Sequence, residues 1–222
     1  MKQNATPFDV AEYDRQIRMT LPYYEEMIEQ IIGIVGLLNI QSLRWLDVGC
    51  GTGKVARTAL GKLHVEKMVC IDVEKEMLER AQTFCGEDKV EFLQCDVRDL
   101  PYHDMFDVVT AVQVNHYFKM DERTTAIKRC FDALKKNGIY ISFENFAPGC
   151  EEGKKLYLER WKQFQMAEGK TEEQADSHIK RYGRGYFPVT ISESTELLRN
   201  CGFRMVEILW VSYMQVGILA RK

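Results

Sequence analysis

The sequence predicts an α/β fold: a doubly wound, mostly parallel seven-stranded sheet that ends in an antiparallel hairpin and carries a helical lid. Three observations predict it. Short apolar runs alternate with amphipathic stretches from Leu43 to Phe143, a glycine-rich loop follows the first of those runs, and the chain closes on two apolar runs separated by a single turn. Alternation of this kind implies βαβ units, parallel pairing and helices on both faces of the sheet.

Taken in order, Phe8 to Leu38 carries helical spacing on both sides of Pro22: Val10, Ile17 and Leu21 before it, then Met27, Ile28, Ile31, Ile32, Val35 and Leu38. Proline removes a backbone donor, so two helices meeting at Pro22 are expected. Strands are expected at Leu43 to Val48, Lys67 to Ile71, Val90 to Leu93, Phe106 to Val112 and Gly138 to Phe143, with helices at Lys54 to Leu63, Lys75 to Cys85 and Glu122 to Lys135. After Pro148 the rhythm breaks, and the charged, helix-prone stretch Glu151 to Arg181 reads as an insertion over the sheet's edge. A helix from Ser192 to Asn200, with Ser192 supplying capping chemistry and Gly202 a stop, then leads into Met205 to Val211 and Met214 to Ala220, which would pair around Ser212 and Tyr213. The whole reads as one domain, 1–222: a helical cap at 1–40, a core at 41–147, an insertion at 148–188, and a helix with hairpin at 189–222.

Composition narrows the function. The chain is 45% hydrophobic and 28% charged with a formal net charge of -3, ordinary globular values, and no run approaches the roughly 18 apolar residues of a membrane span. A mildly acidic chain has no general attraction for phosphate backbones, which argues against nucleic acid as the partner. Met1 to Pro7 lacks the basic-then-apolar order of a secretory signal, so a cytoplasmic location is expected. The seven cysteines stand singly, with no Cys-x-x-Cys pair and no Cys/His cluster at zinc spacing, so no metal is expected. A homodimer is compatible with this sequence.

The strongest local signal is Leu46-Asp47-Val48-Gly49-Cys50-Gly51-Thr52-Gly53, where the first strand gives way to a helix. Glycines there let backbone amides at a helix N-terminus approach a ligand closely. The loop alone leaves two cofactor classes open, because Gly51-x-Gly53-x-x-Ala56 also satisfies a permissive dinucleotide fingerprint. Asp72, ending the second strand about 20 residues on, suits ribose hydroxyls in either class. Asp96, after the third strand, has no ordinary role in a dehydrogenase. Asp47, just before the glycines, suits an ammonium group better than an anionic pyrophosphate.

In four successive motifs the chain resembles the class I SAM-dependent methyltransferases: Asp47-Val-Gly-Cys-Gly-Thr-Gly53, Ile71-Asp-Val73, Cys95-Asp-Val97 and Phe106-Asp-Val-Val-Thr-Ala-Val-Gln-Val-Asn-His-Tyr-Phe118, in order within residues 43 to 145. The resemblance implies a Rossmann-like fold and S-adenosyl-L-methionine (SAM) as cofactor. It implies that Gly49, Cys50, Gly51 and Gly53 surround the methionine part and Asp47 addresses its ammonium. Asp72 would take the ribose, Val73 and Met77 would flank the adenine, Asp96 and Val97 would bond its edge, and Gln113 and Val114 would face the sulfonium.

The flanks are similar to a subgroup that includes the carboxy-S-adenosylmethionine synthases. Tyr13 to Tyr24 and Leu198-x-x-x-Gly202-Phe203 with Leu209-Trp210 carry that similarity. It implies an N-terminal segment closing over the cofactor, with Tyr24 near the SAM carboxylate or amino group and Tyr13 and Arg18 lining the site. The glycine loop keeps the ordinary methyltransferase form, so carboxy-SAM chemistry, linked to RNA modification, stands as the alternative, beside a SAM-binding protein without transfer activity.

For a small-molecule acceptor, His178 to Pro188 mixes bases, aromatics and glycines suited to an anionic or aromatic ligand, and Arg181, Tyr182 and Tyr186 are its candidate contacts. Methyl transfer is an in-line displacement needing alignment and exclusion of water, and a base only where the acceptor must lose a proton. His116 and Tyr117, just past the fourth strand, would line the transfer face, with Glu144 nearby at the end of the fifth. His116 is the candidate base because its ordinary pKa lies near neutrality.

Overall fold

The computed structural model describes residues 8–85 and 88–222; Met1 to Pro7, read above for a secretory signal, lie outside the described residues. Seven strands form one sheet in the order β3-β2-β1-β4-β5-β7-β6: β1 (Leu43–Val48), β2 (Val65–Asp72), β3 (Val90–Gln94), β4 (Phe106–Val112), β5 (Leu134–Asn145), β6 (Met205–Ser212) and β7 (Gln215–Arg221). The first five run parallel, and β7 pairs antiparallel with both β5 and β6. The chain winds outward from β1 to β3, then restarts at β4 on the other side of β1. That reversal opens a crevice outside the C-terminal ends of β1 and β4, where open α/β sheets bind ligands.

Period-two alternation fills both faces. Trp45, Val108 and Ile139 point into the layer shared with α2 (Tyr24–Leu37), α3 (Lys54–Lys62) and α4 (Lys75–Cys85), while Leu46, Val109 and Tyr140 point into the layer shared with α5 (Met120–Ala133) and α8 (Ile191–Asn200). A third, smaller cluster of Ile17, Leu21, Trp161, Tyr186 and Met214 stands beyond the sheet. It joins α1 (Tyr13–Arg18) to α6 (Glu151–Ala167), α7 (Glu172–Ile179) and the turn between β6 and β7. Trp161 is fully buried there and its indole donates to the Thr20 carbonyl at 2.6 Å. The insertion therefore sits on the N-terminal cap, at the C-terminal ends of the strands, and among the described residues no helix is long and apolar enough to cross a membrane.

Several boundaries differ from the sequence reading. The helix expected to run to Lys135 stops at Ala133, because Leu134 pairs with Phe106 and the Lys135 ammonium reaches Asp107 at 2.9 Å, drawing the Lys-Lys-Asn stretch into β5. Asn137, with φ 67°, absorbs the irregularity that this creates. The insertion is two helices, broken at Gly169 (φ 100°) and restarted by a reciprocal Thr171/Gln174 cap. The cap of α8 is Thr190 with Glu193, two residues before the expected Ser192. The break at Pro22 falls as expected, completed by Tyr23 in the left-handed region at φ 58°.

Candidate active site

One cavity of about 340 Å³ opens at the strand reversal. Its sheet side is built by β1, β2 and β4 and the segments that follow them. Gly49, with φ 61°, is held where a Cβ would lie 2.5 Å from Val114 Cγ2, so no other residue lets the loop pass under the β4 end. Asp72 accepts from the Gly51 amide at 3.0 Å and the Glu74 amide at 2.9 Å. The Val73 amide reaches it as well, so three of its roughly four lone-pair sites are used and one remains for a ribose hydroxyl. Asp96 accepts from the Arg98 amide and from Arg98 Nε and Nη2, at 2.9, 2.9 and 2.6 Å, which leaves one site for an exocyclic amine. Val73, Met77, Val97, Gln113 and Val114 complete this side. Gln113 takes a positive φ of 59° while its amide donates to the Phe143 carbonyl at 2.7 Å.

The electrostatics favour a cation over a pyrophosphate near the loop. Burial raises the Asp47 carboxyl to about 7, against a hydrogen bond from Thr110 and with the nearby Asp72 reinforcing the rise. Burial likewise raises Asp72, although the amides of Glu74 and Gly51 oppose it. A second anion there would add to that repulsion, whereas an ammonium relieves it.

The far side of the cavity is the cap. Phe8, Tyr13, Ile17, Thr20 and Leu21 line it from the N-terminus, and His178, Arg181 and Tyr186 from the insertion, with His116, Tyr117, Phe118 and Asn145 at the strand ends. The Thr52 hydroxyl donates to Asp14 at 2.6 Å, tying α1 to the glycine loop, and the Tyr13 ring lies within 3.7 Å of where a Gly51 Cβ would stand. His116 Nδ1 lies 2.7 Å from Glu144 Oε2, both groups buried. Phe8 and Arg98 are lining residues that the sequence reading missed, and His178 lay in the stretch it named without being singled out as a contact.

Other sequence candidates lie outside the cavity lining. Arg18, with 49% of its side chain exposed, pairs with Glu25 at 2.8 Å instead of turning inward. Tyr24 packs in the seam between the cap cluster and the α2 layer. Asp47 is buried beneath the loop, accepting from Thr110 Oγ1 at 2.7 Å, with Oδ2 left without a partner. Cys50 belongs to the α2 layer, and Gly53 is needed for packing, since a Cβ there would lie 3.0 Å from Cys85 Sγ on α4. Glu144 sits behind His116, and Tyr182 packs on Tyr186 with Lys154 over its ring.

Residues 46–138 match a methyltransferase domain family. The chain is 24% identical to the carboxy-S-adenosyl-L-methionine synthase of Chromohalobacter salexigens, over 92% of this chain and 77% of that protein. Among solved structures, the YcgJ protein of Bacillus subtilis superposes with a TM-score of 0.65 at 20% identity, covering 84% of this chain and 71% of the other. The phosphoethanolamine N-methyltransferase 2 of Haemonchus contortus, solved with S-adenosylhomocysteine, gives 0.65 at 17% identity, covering 90% of this chain and 42% of its own.

Proposed function

Because the chain is a SAM-dependent methyltransferase of class I, related to the carboxy-S-adenosylmethionine synthases, we propose that it methylates a small-molecule acceptor held between the strand ends and the helical cap. The observation that carries this reading is the cavity at the strand reversal, in which Gly49, Asp72 and Asp96 on one wall face Tyr13, Arg181 and Tyr186 on the other. Bound SAM supplies an electrophilic methyl group on a sulfonium. The chain's own residues hold its ribose at Asp72 and its adenine between Met77, Val97 and Asp96, keep water out with the cap, and present the acceptor beside Val114 and His116. Residues 1–222 act as one domain in this reading, in the cytoplasm.

Mass spectrometry of the protein as purified tests it: retained SAM or S-adenosylhomocysteine is expected, and a deuterated methyl should pass intact to the acceptor. A retained cofactor heavier by a carboxyl group would favour the synthase reading, which the relatedness over 92% of the chain keeps in view. Removing residues 1–21 should abolish transfer and weaken SAM binding while the sheet stays folded, because that segment carries five of the cap's lining groups, Phe8, Tyr13, Ile17, Thr20 and Leu21. Unchanged transfer by the truncated protein would contradict the cap's role.

A further inference from the structure

At the acceptor end of the cavity, buried polar groups are arranged for a ligand rather than for one another. Glu144, 5% exposed, accepts from the amides of Val114 (3.3 Å), Asn115 (2.9 Å) and His116 (3.2 Å), from Asn115 Nδ2 (2.9 Å) and from His116 Nδ1 (2.7 Å). Every partner is a donor, so His116 carries its proton on Nδ1 and keeps a bare lone pair on Nε2, the ring nitrogen left for the cavity. A histidine so oriented accepts a proton and is stabilised afterwards by the carboxylate behind it.

Tyr186 stands 6.0 Å, ring to ring, from His116 and equally from His178. Both ring nitrogens of His178 and the Tyr186 hydroxyl are shielded from solvent and have no hydrogen-bond partner among the described residues. Burial, with Lys170 and Arg181 nearby, holds His178 down at about 3, so it is neutral and offers one donor and one acceptor. Unpaired buried polar groups are costly, and a ligand bearing matching groups relieves that cost. Phe8, stacked 6.1 Å from His178, and Tyr117, 4.3 Å from His116, wall the space with ring faces. The cations Lys170 and Arg181 disfavour an ammonium ligand and favour an oxyanion.

Resting on the methyltransferase reading, we propose that the acceptor is a small hydroxyarene, whose reacting phenolic hydroxyl meets His116, positioned by Glu144, and whose second polar group meets His178 and Tyr186. The phenol O–H bond breaks as Nε2 takes the proton. The oxygen forms a C–O bond to the methyl carbon while the electron pair of the S–CH₃ bond returns to sulfur and discharges the sulfonium. The imidazolium, paired with Glu144, passes its proton to water after the aryl methyl ether leaves. Glu144 is a positioning residue, since it touches His116 and the backbone rather than the acceptor.

The test uses the full chain loaded with S-adenosylhomocysteine and titrated calorimetrically with catechol or 1,2-dimethoxybenzene, alongside methyl transfer from SAM to catechol across pH. Catechol should bind at least about tenfold tighter than the dimethyl ether, because the ether cannot donate to the site's bare acceptors. His178→Phe should shrink that preference, leaving only the part that His116 Nε2 supports, and leave S-adenosylhomocysteine affinity unchanged. Glu144→Gln should lower kcat by about 10²-fold or more with little change in KM, and change the pH dependence of kcat. The groups facing His116 in that profile are Glu144, Tyr117, Tyr186 and His178, with Arg123 and Tyr140 behind through Asn115. Should Glu144→Gln fail to fold by circular dichroism, His116→Gln tests the base directly and should lower kcat by at least as much with little change in KM. Equal affinity for the two arenes, or no binding of catechol to the loaded protein, would overturn the proposal. Failure to bind S-adenosylhomocysteine would instead remove the methyltransferase reading, and the proposal with it.

Discussion

The two walls of the cavity are built by different means. The sheet wall comes from consecutive strand ends, and its acids are already engaged by amides one loop away, as Asp72 is by Gly51 and Glu74. The cap wall is assembled from distant segments: Trp161 donates to Thr20, Lys170 to Thr20 Oγ1, and the Phe187 amide to the His116 carbonyl. Its polar groups are the less satisfied, with His178 and Tyr186 lacking partners. A ligand common to a whole class can be met by backbone geometry that a short motif encodes. A ligand particular to one enzyme is met by side chains that only tertiary structure gathers.

If the cap is a separate unit resting on the sheet, Trp161→Ala should unlock it without melting the core. Loss of a fully buried indole and its hydrogen bond to Thr20 should cost ~3–5 kcal/mol of local stability. Hydrogen exchange should accelerate in α1, α6 and α7 while β1, β2 and β4 stay protected. Uniform acceleration would show that cap and sheet open together, and the comparison would break.

Beneath the sheet wall, Asp47→Asn probes a buried carboxyl held at the expense of stability. The folded carboxyl lies near 7, above its ordinary value of 3.8, so the native state binds the extra proton between those limits and stability falls as pH rises through that window. The variant should therefore be more stable than the parent at pH 7, by ~1–3 kcal/mol once its own unpaired amide is counted, and lose that advantage near pH 4. Urea unfolding at the two pH values measures it. A variant less stable at pH 7 would mean that the buried carboxylate is compensated in the free protein.

How far the sequence could be read follows the same division. The succession of strands along the chain, the hairpin and the pocket-lining members of the glycine loop, Gly49 and Gly51, are local or periodic features, and these were legible. The packing role of Gly53 was not, because Cys85 is its neighbour only in three dimensions. Arg98 carried a local signal that went unused, since an arginine two residues after an aspartate at a strand end can fold back on it, as Arg98 does on Asp96. Glu144 was found as a residue but not as the support of His116, because the pairing spans 28 residues and two strands. Arg18 was expected to line the site from the resemblance of the N-terminal segment, and only Glu25 on the next helix explains why it faces water.

The central claim is that the cavity takes SAM and not a dinucleotide, and calorimetry of the wild type and Asp72→Ala with SAM, repeated in excess NADH, tests it most directly. Asp72 lines the cavity with a lone pair to spare, so the account predicts that its removal weakens SAM binding by ~1–3 kcal/mol through the lost charge-assisted hydrogen bond, with no competition from NADH. Unchanged SAM affinity in Asp72→Ala, or displacement of SAM by NADH, would contradict it.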